Sequence, residues 1–196
     1  MSYSQRAGRG GSHVQFSEHL LGSQPTEAFA SERAVEASHF KSAMRCLTGG
    51  VVIVTAGLGR RRRGLTATAV CSVSAEPPSL LVCINRSADA HEIILEAGRF
   101  AISILDEKHV ALADRFAGRD GSKGESRFDV GAWTDRETGA PVLTDAAAWF
   151  DCRVMNTVEA ATHTLFIGLV VGSSVSNTRN PLIYSQGAFA TLLKRC

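Results

Sequence analysis

Apolar and polar positions follow two rhythms along this chain, and the changes of rhythm mark its elements. Phe40, Met44 and Leu47 recur at helical spacing after Ser38, and Gly49 and Gly50 are placed to stop that helix. Val51 to Thr55 is a β-branched run with the signature of a strand, and "AGLGRRRR" turns the chain back into a second strand over Gly64 to Ala75. So short a link requires antiparallel pairing. Pro77 and Pro78 end the second strand, because proline offers no ladder donor and restricts its predecessor. Ser79 to Ile84 is a nearly continuous apolar run, as expected of a buried strand.

Ser87 is placed to cap a helix that ends near Gly98 and turns Ile93, Ile94 and Ala97 inward. "RFAISIL" is the next strand, and Asp106 caps a second helix that runs through Phe116 and closes at Gly118. From Gly118 to Pro141 the chain is polar with no element of its own, the length of a functional lid. Strand patterning returns over Ala148 to Val175 and Gly187 to Leu193. Short antiparallel strands with two or three helices predict a mainly β fold, a closed or split β-barrel with flanking helices. Residues 1–36 are rich in Ser, Gly, Gln and Arg without a sustained period, and read as a flexible N-terminal extension to a 37–196 domain.

Composition narrows the class. With 44% hydrophobic and 20% charged residues and a formal charge of +2, the chain reads as soluble and globular, and its charge selects no nucleic-acid partner. No apolar run reaches the roughly 18 residues of a membrane span, and the N-terminus lacks the apolar core of a signal peptide. Neither a membrane nor a nucleic-acid partner is expected. Cys46, Cys71, Cys83, Cys152 and Cys196 show no C-x-x-C pair or zinc spacing. Four of them lie in apolar surroundings and read as small core residues in a reducing cytoplasm. His39, His91 and His109 fall on helices without metal-ligand spacing, and GxGxxG, P-loop and G-x-S-x-G motifs are absent. No metal site is expected.

The candidate chemistry lies in four places. Thr66, Thr68, Ser72 and Ser74 share one parity, so a regular strand would present their hydroxyls on one face. That face suits a polyol and a phosphate, with small neighbours admitting a planar ligand; it is equally the exposed face of an ordinary barrel. Asn85, Arg86 and Ser87 precede a helix N-terminus, as an anion site or a plain cap. Arg60 to Arg63 lie in the hairpin turn without interleaved aromatics, as a solvated loop or, beside a pocket, an attractant for anionic cofactors. His163 opens an apolar strand, as a structural histidine or as a ligand or proton donor.

Taken in order, "FKSAMRCLTGGVVIVT", "GLTATAVCSVSAEPPSLLVCINRSADAH", "GRFAISIL", "LADRFAG", "TGAPVLTDAAAWFDC", "HTLFIG" and "PLIY" resemble the short-chain flavin reductases, from about Phe40 to Leu193. These are the small NAD(P)H:flavin oxidoreductases of two-component monooxygenases. The resemblance implies a Greek-key, FMN-binding split barrel that forms a homodimer with flavin near the subunit interface. It implies that Thr66, Ala67, Thr68, Ala69, Ser72, Val73 and Ser74 hold the ribityl chain, the phosphate and part of the isoalloxazine ring. It places Asn85, Arg86 and Ser87 near the phosphate or adenylate end, with His91 on the following helix, and has the segment Arg115 to Gly118, with Arg115 and Phe116 in it, close over the flavin.

His163 aligns with the histidine of the family's Gly-Asp-His turn and is implied to position nicotinamide. Ala161 and Thr162 replace the glycine and aspartate, so no carboxylate precedes His163 to fix its tautomer. The implied function is an NAD(P)H:flavin oxidoreductase that takes hydride from NADH, with NADPH as the alternative, onto FMN or FAD and supplies a partner monooxygenase. No indispensable acid or base is expected, because hydride transfer is intrinsic to the two cofactors. The same barrel also admits reduction of another acceptor, such as a corrinoid Co(II) centre, a quinone or a metal chelate, and a non-catalytic flavin carrier. The motif order disfavours pyridoxamine phosphate oxidation.

Overall fold

The two edge strands of the main sheet are consecutive in the chain, and this one fact forces the sheet to curl. The computed structural model describes residues 34–177 and 180–192; most of the expected N-terminal extension, and Cys196, lie outside the described residues. The chain divides into two units, Met1–Ala37 and Ser38–Cys196, and the second carries all that follows.

Its elements are α1 (Ala37–Met44), β1 (Gly49–Gly50), β2 (Val52–Leu58), β3 (Arg61–Ala67), β4 (Val70–Ala75), β5 (Pro78–Asn85), α2 (Asp89–Ala97), β6 (Arg99–Ile104) and α3 (Val110–Phe116). There follow β7 (Trp133–Asp135), β8 (Pro141–Leu143), β9 (Ala148–Ala160), β10 (His163–Val175), β11 (Ile183–Ser185) and β12 (Ala188–Ala190). The main sheet has the order β3-β2-β6-β9-β10-β5-β4, every pair antiparallel. Laid flat, six gaps of about 4.8 Å would part its edges by roughly 29 Å. The link from Ala67 to Val70 reaches at most roughly 11 Å. The sheet therefore curls until its edges approach, giving the split barrel that the sequence predicts.

Side chains alternate across β2. Val52, Val54 and Ala56 point into the barrel with Val82, Ile84, Phe100, Ile102 and Phe166, and Ile93 and Ile94 of α2 join them. Val51 and Ile53 point the other way, into a second core with Leu105, Leu112, Phe116, Phe128 and Leu182. Both faces of β2 are buried, which explains the apolar run that leads into it, Val51 to Val54. Gly64 lets Phe116 in: a Cβ there would stand 2.7 Å from its ring. Among the described residues no helix is long and apolar enough to cross a membrane, and no group of three or more His, Cys, Asp or Glu is placed to hold a metal.

Several sequence expectations change. The strand expected over Gly64 to Ala75 is two strands, broken at Thr68–Ala69. α1 stops at Met44, before the glycines, which instead pair with Ile183 and Tyr184; Phe40, Met44 and Leu47 are exposed. Only Gly59 and Arg60 form the hairpin turn, because Arg61 to Arg63 continue as β3. Arg61 pairs with Glu96 at 2.6 Å and Arg62 with Glu125 at 3.3 Å.

Ser87 does not cap α2. Ala88 holds that position, and Ser87 instead donates its N–H and hydroxyl to Asn85 Oδ1, each at 2.9 Å. The expected lid carries a 3-10 turn (Gly124–Asp129) and β7, which pairs with β8. Phe128 and Trp133 anchor it on Phe116, and Thr138 donates to buried Asp151, so it is packed structure. Of the four described cysteines only Cys152 is buried; Cys46 and Cys71 are exposed and Cys83 is half-buried. An exposed edge strand and a bare helix end account for the first two.

Candidate functional site

The break between β3 and β4 is where the predicted residues gather. The carbonyls of Thr68 and Ala69 accept from the N–H groups of Val70 and Cys83, each at 3.0 Å, while their own N–H groups lie outside both strands. Gly49 packs against Thr68 so closely that a Cβ there would stand 3.1 Å from the threonine Cβ. A cavity of about 220 Å³ opens beside this break. Thr66, Ala67 and Thr68 form one wall, and Val51 and Ala117 flank it. Tyr184, Phe189 and Arg119 complete the lining, the first two from the small β1-β11-β12 sheet.

Thr66 is held by its neighbours. Its hydroxyl donates to the Ala113 carbonyl at 2.7 Å and so fastens α3 to β3. Arg119 pairs with Asp114 at 2.7 Å, and the hydrogen bonds it donates to Asp114 and Tyr184 raise its guanidinium pKa above the ordinary value.

A second group lies two residues past Cys83. Asn85 stands opposite His163 across β5 and β10, and the Arg86 N–H donates to the Thr162 carbonyl at 2.9 Å. The two-residue turn Ala161–Thr162 joins β9 to β10, with Ala161 in left-handed backbone at φ 49°. The lost carboxylate has a substitute: Thr162 Oγ1 lies 2.9 Å from His163 Nδ1. No carboxylate precedes His163, as the sequence has it; a hydroxyl takes its place beside the ring.

Other predicted residues are placed differently. Phe116 is 1% exposed in the second core, so its ring is a packing element. Arg115 donates to the carbonyls of Ser126 and Arg127 and pairs with Asp120, bracing the loop after α3. His91 is buried, with Nε2 2.8 Å from Thr164 Oγ1 and its ring edge-on to Phe166. Burial, then the Arg86 charge, lowers its pKa from 6.5. Ser72, Val73 and Ser74 lie on β4, exposed and outside the cavity lining; Ser74 Oγ accepts from the Glu76 N–H at 3.0 Å. The shared parity with Thr66 is lost because the strand breaks and the β4–β5 register slips between Ser72 and Ser74. The arginine run does not border the cavity. Arg61 lies six residues up the strand from Ala67, roughly 20 Å away.

Ala117 belongs to the Arg115–Gly118 segment expected to close over the flavin, whereas Arg119, Tyr184, Phe189 and Val51 are lining residues that sequence reasoning missed. They come from three distant segments, and no periodicity joins them. A larger cavity of about 440 Å³, lined by Asp106, Lys108, Asp145 and Trp149 among others, holds none of the predicted residues.

The flavin reductase like domain family matches residues 44–193. This chain belongs to that family. It is 40% identical over 155 residues to an FMN reductase (NADH), RutF, of Ancylobacter novellus, covering 79% of this chain and 84% of the relative. It is 39% identical over 153 residues to the reductase component of the FADH(2)-dependent resorcinol hydroxylase of a Rhizobium species, covering 77% and 84%. Among solved structures, BorF, the flavin reductase component of a bacterial two-component tryptophan halogenase, superposes with a TM-score of 0.75 at 31% identity, covering 82% of this chain and all of that one. The site fits the group these names imply. Its apolar and aromatic lining suits a planar ring, and the N–H groups at 68–69 lie outside the ladders beside it.

Proposed function

We propose that this chain is an NADH-dependent flavin reductase whose flavin occupies the cavity at the end of β3, and that the reduced flavin passes to a separate oxygenase. The observation that carries the reading is the break at Thr68–Ala69, where edge-strand backbone meets an aromatic-lined cavity.

When bound, the flavin supplies a hydride-accepting ring, and NADH supplies the hydride. The chain supplies placement. Thr66 to Ala69 and the wall of Tyr184 and Phe189 hold the ring system, while Asn85 to Ser87 form an exposed turn for the phosphate end. The Asn85 carboxamide accepts from Ser87 in this exposed turn, and the Arg86 side chain lies 3.5 Å from Glu159. His163, oriented by Thr162, positions nicotinamide from the neighbouring strand end. Backbone N–H groups favour an electron-rich reduced ring without transferring a proton. FMN and FAD both suit this layout, because the nucleotide tail runs to an exposed turn.

On this reading a second copy covers β4, making the homodimer. All of β4 except Val70 is exposed, with Val73 at 51%, an edge that natural sheets normally cover or charge. Ser72, Val73 and Ser74 then meet the ligand at the subunit interface.

The test is steady-state oxidation of NADH by a trace of protein with excess FMN, then FAD, followed at the reduced-nicotinamide absorbance band. Many turnovers per chain are expected. Bleaching no more than stoichiometric with protein would replace this reading with that of a flavin carrier.

A further inference from the structure

Arg119 is fixed in place three times over. Gly118, in left-handed backbone at φ 75°, redirects the chain after α3. The Arg119 N–H then donates to the Asp114 carbonyl at 3.0 Å, and Nη1 donates to the Asp114 carboxylate at 2.7 Å. Nη2 lies 3.4 Å from the Tyr184 hydroxyl, and the guanidinium stands 5.9 Å from the Tyr184 ring centroid and 5.4 Å from that of Phe189. Ordering a long side chain costs conformational entropy, and an exposed arginine ordinarily keeps its freedom. Here the order is built by a turn glycine and a carboxylate one helical turn back.

Arg119 is also the charged member of the cavity lining; the rest is aliphatic, aromatic or threonine. Its pair with Asp114 uses part of a five-donor fork and leaves donors for a ligand. The side chain is half exposed and paired with Asp114, so what it offers a ligand is directed N–H donors held in a fixed place more than long-range charge. The apolar walls suit a ring, whereas a phosphate calls for a cluster of N–H donors.

The geometry points to Arg119 as a ligand-binding residue of this cavity, one that recognises the electron-rich, hydrogen-bond-accepting edge of the flavin ring and holds reduced flavin more tightly than oxidised. The inference rests on the flavin reading above. Asp114 is its positioning residue, since it holds the guanidinium and does not line the cavity.

The experiment titrates wild type, Arg119→Gln and Arg119→Lys with riboflavin and with FMN by fluorescence quenching, and repeats the titrations anaerobically with photoreduced flavin. Arg119→Gln is expected to weaken both oxidised ligands alike by about tenfold, and both reduced ligands more. Arg119→Lys, which keeps the charge and loses the fork, should recover part of the loss. A folded Arg119→Gln variant that binds reduced flavin within about twofold of wild type would overturn the inference. A loss confined to FMN would overturn the ring assignment in favour of the phosphate. Wild type that binds neither ligand would instead overturn the flavin reading itself. Should Arg119→Gln fail to fold, Asp114→Asn decides: weaker binding by several-fold is expected, and unchanged binding would overturn the role.

Discussion

Thr66 donates its hydroxyl to the Ala113 carbonyl at 2.7 Å, so the first hydroxyl of the threonine- and serine-bearing stretch joins β3 to the last turn of α3. Thr66 therefore lines the cavity with its hydroxyl already engaged. Thr66→Val keeps the shape and removes the donor, while the Ala113 carbonyl still accepts from the Ala117 N–H. Denaturant unfolding should show a loss of roughly 0.5–1.5 kcal/mol. Unchanged stability with a large loss of flavin affinity would assign the hydroxyl to the ligand instead.

His91 gives the fold a pH dependence of known sign. Its folded pKa lies below 6.5, first because the ring is buried and then because Arg86 is near. As pH falls through 6.5 the unfolded chain takes up the proton while the folded chain does not, so stability falls. The loss levels off below the folded pKa. Between about pH 7 and pH 5 the Tm should drop in wild type and drop less in His91→Gln, measured by thermal circular dichroism. Equal slopes in the two proteins would show that another group carries the effect.

The thiols divide by exposure. Burial, with the Asp151 charge adding to it, pushes the Cys152 thiol up to about 12, so it has almost no thiolate near neutral pH. Brief iodoacetamide treatment followed by mass spectrometry should modify Cys46 in the folded protein and Cys152 only after unfolding. Early modification of Cys152 would contradict its place in the barrel core.

His163→Ala should raise the KM for NADH by about two- to tenfold, the value of one hydrogen bond, with a smaller change in kcat. Thr162→Ala should move KM in the same direction by less, because it frees the ring without removing it. Loss of all turnover in a folded, flavin-binding His163→Ala variant would make the histidine indispensable to hydride transfer.

The sequence exposes the barrel more readily than the site. Val51 to Thr55, Ser79 to Ile84 and the run from His163 carry their strand character in β-branched and apolar patterning, and each is a strand in the structure. The break at Thr68–Ala69 leaves no such mark, because Thr and Ala suit a strand as well as a link. It follows from closing a seven-stranded sheet with a two-residue connection, a constraint visible only once strand order is known. Arg119, Tyr184 and Phe189 converge on the cavity through tertiary packing, which no local period records. Ser87 falls one residue short of the cap position, which Ala88 holds, because its N–H and hydroxyl close a local turn onto the Asn85 carboxamide. The resemblance names Asn85 and His163 for different parts of the ligand, and only the β5–β10 register shows that they stand opposite each other, with Thr162 Oγ1 beside His163 Nδ1.

Flavin entering the cavity beside Thr68 is the step on which the proposed function depends, and a cavity-filling variant tests it most directly. Thr68 is exposed and Thr68→Trp adds its bulk outside the core, so the barrel should fold as before. Titration with FMN, read by fluorescence quenching, should show micromolar binding by wild type and a loss of affinity of about a hundredfold or more in Thr68→Trp. Equal affinity in the two folded proteins would place the flavin elsewhere and contradict the account.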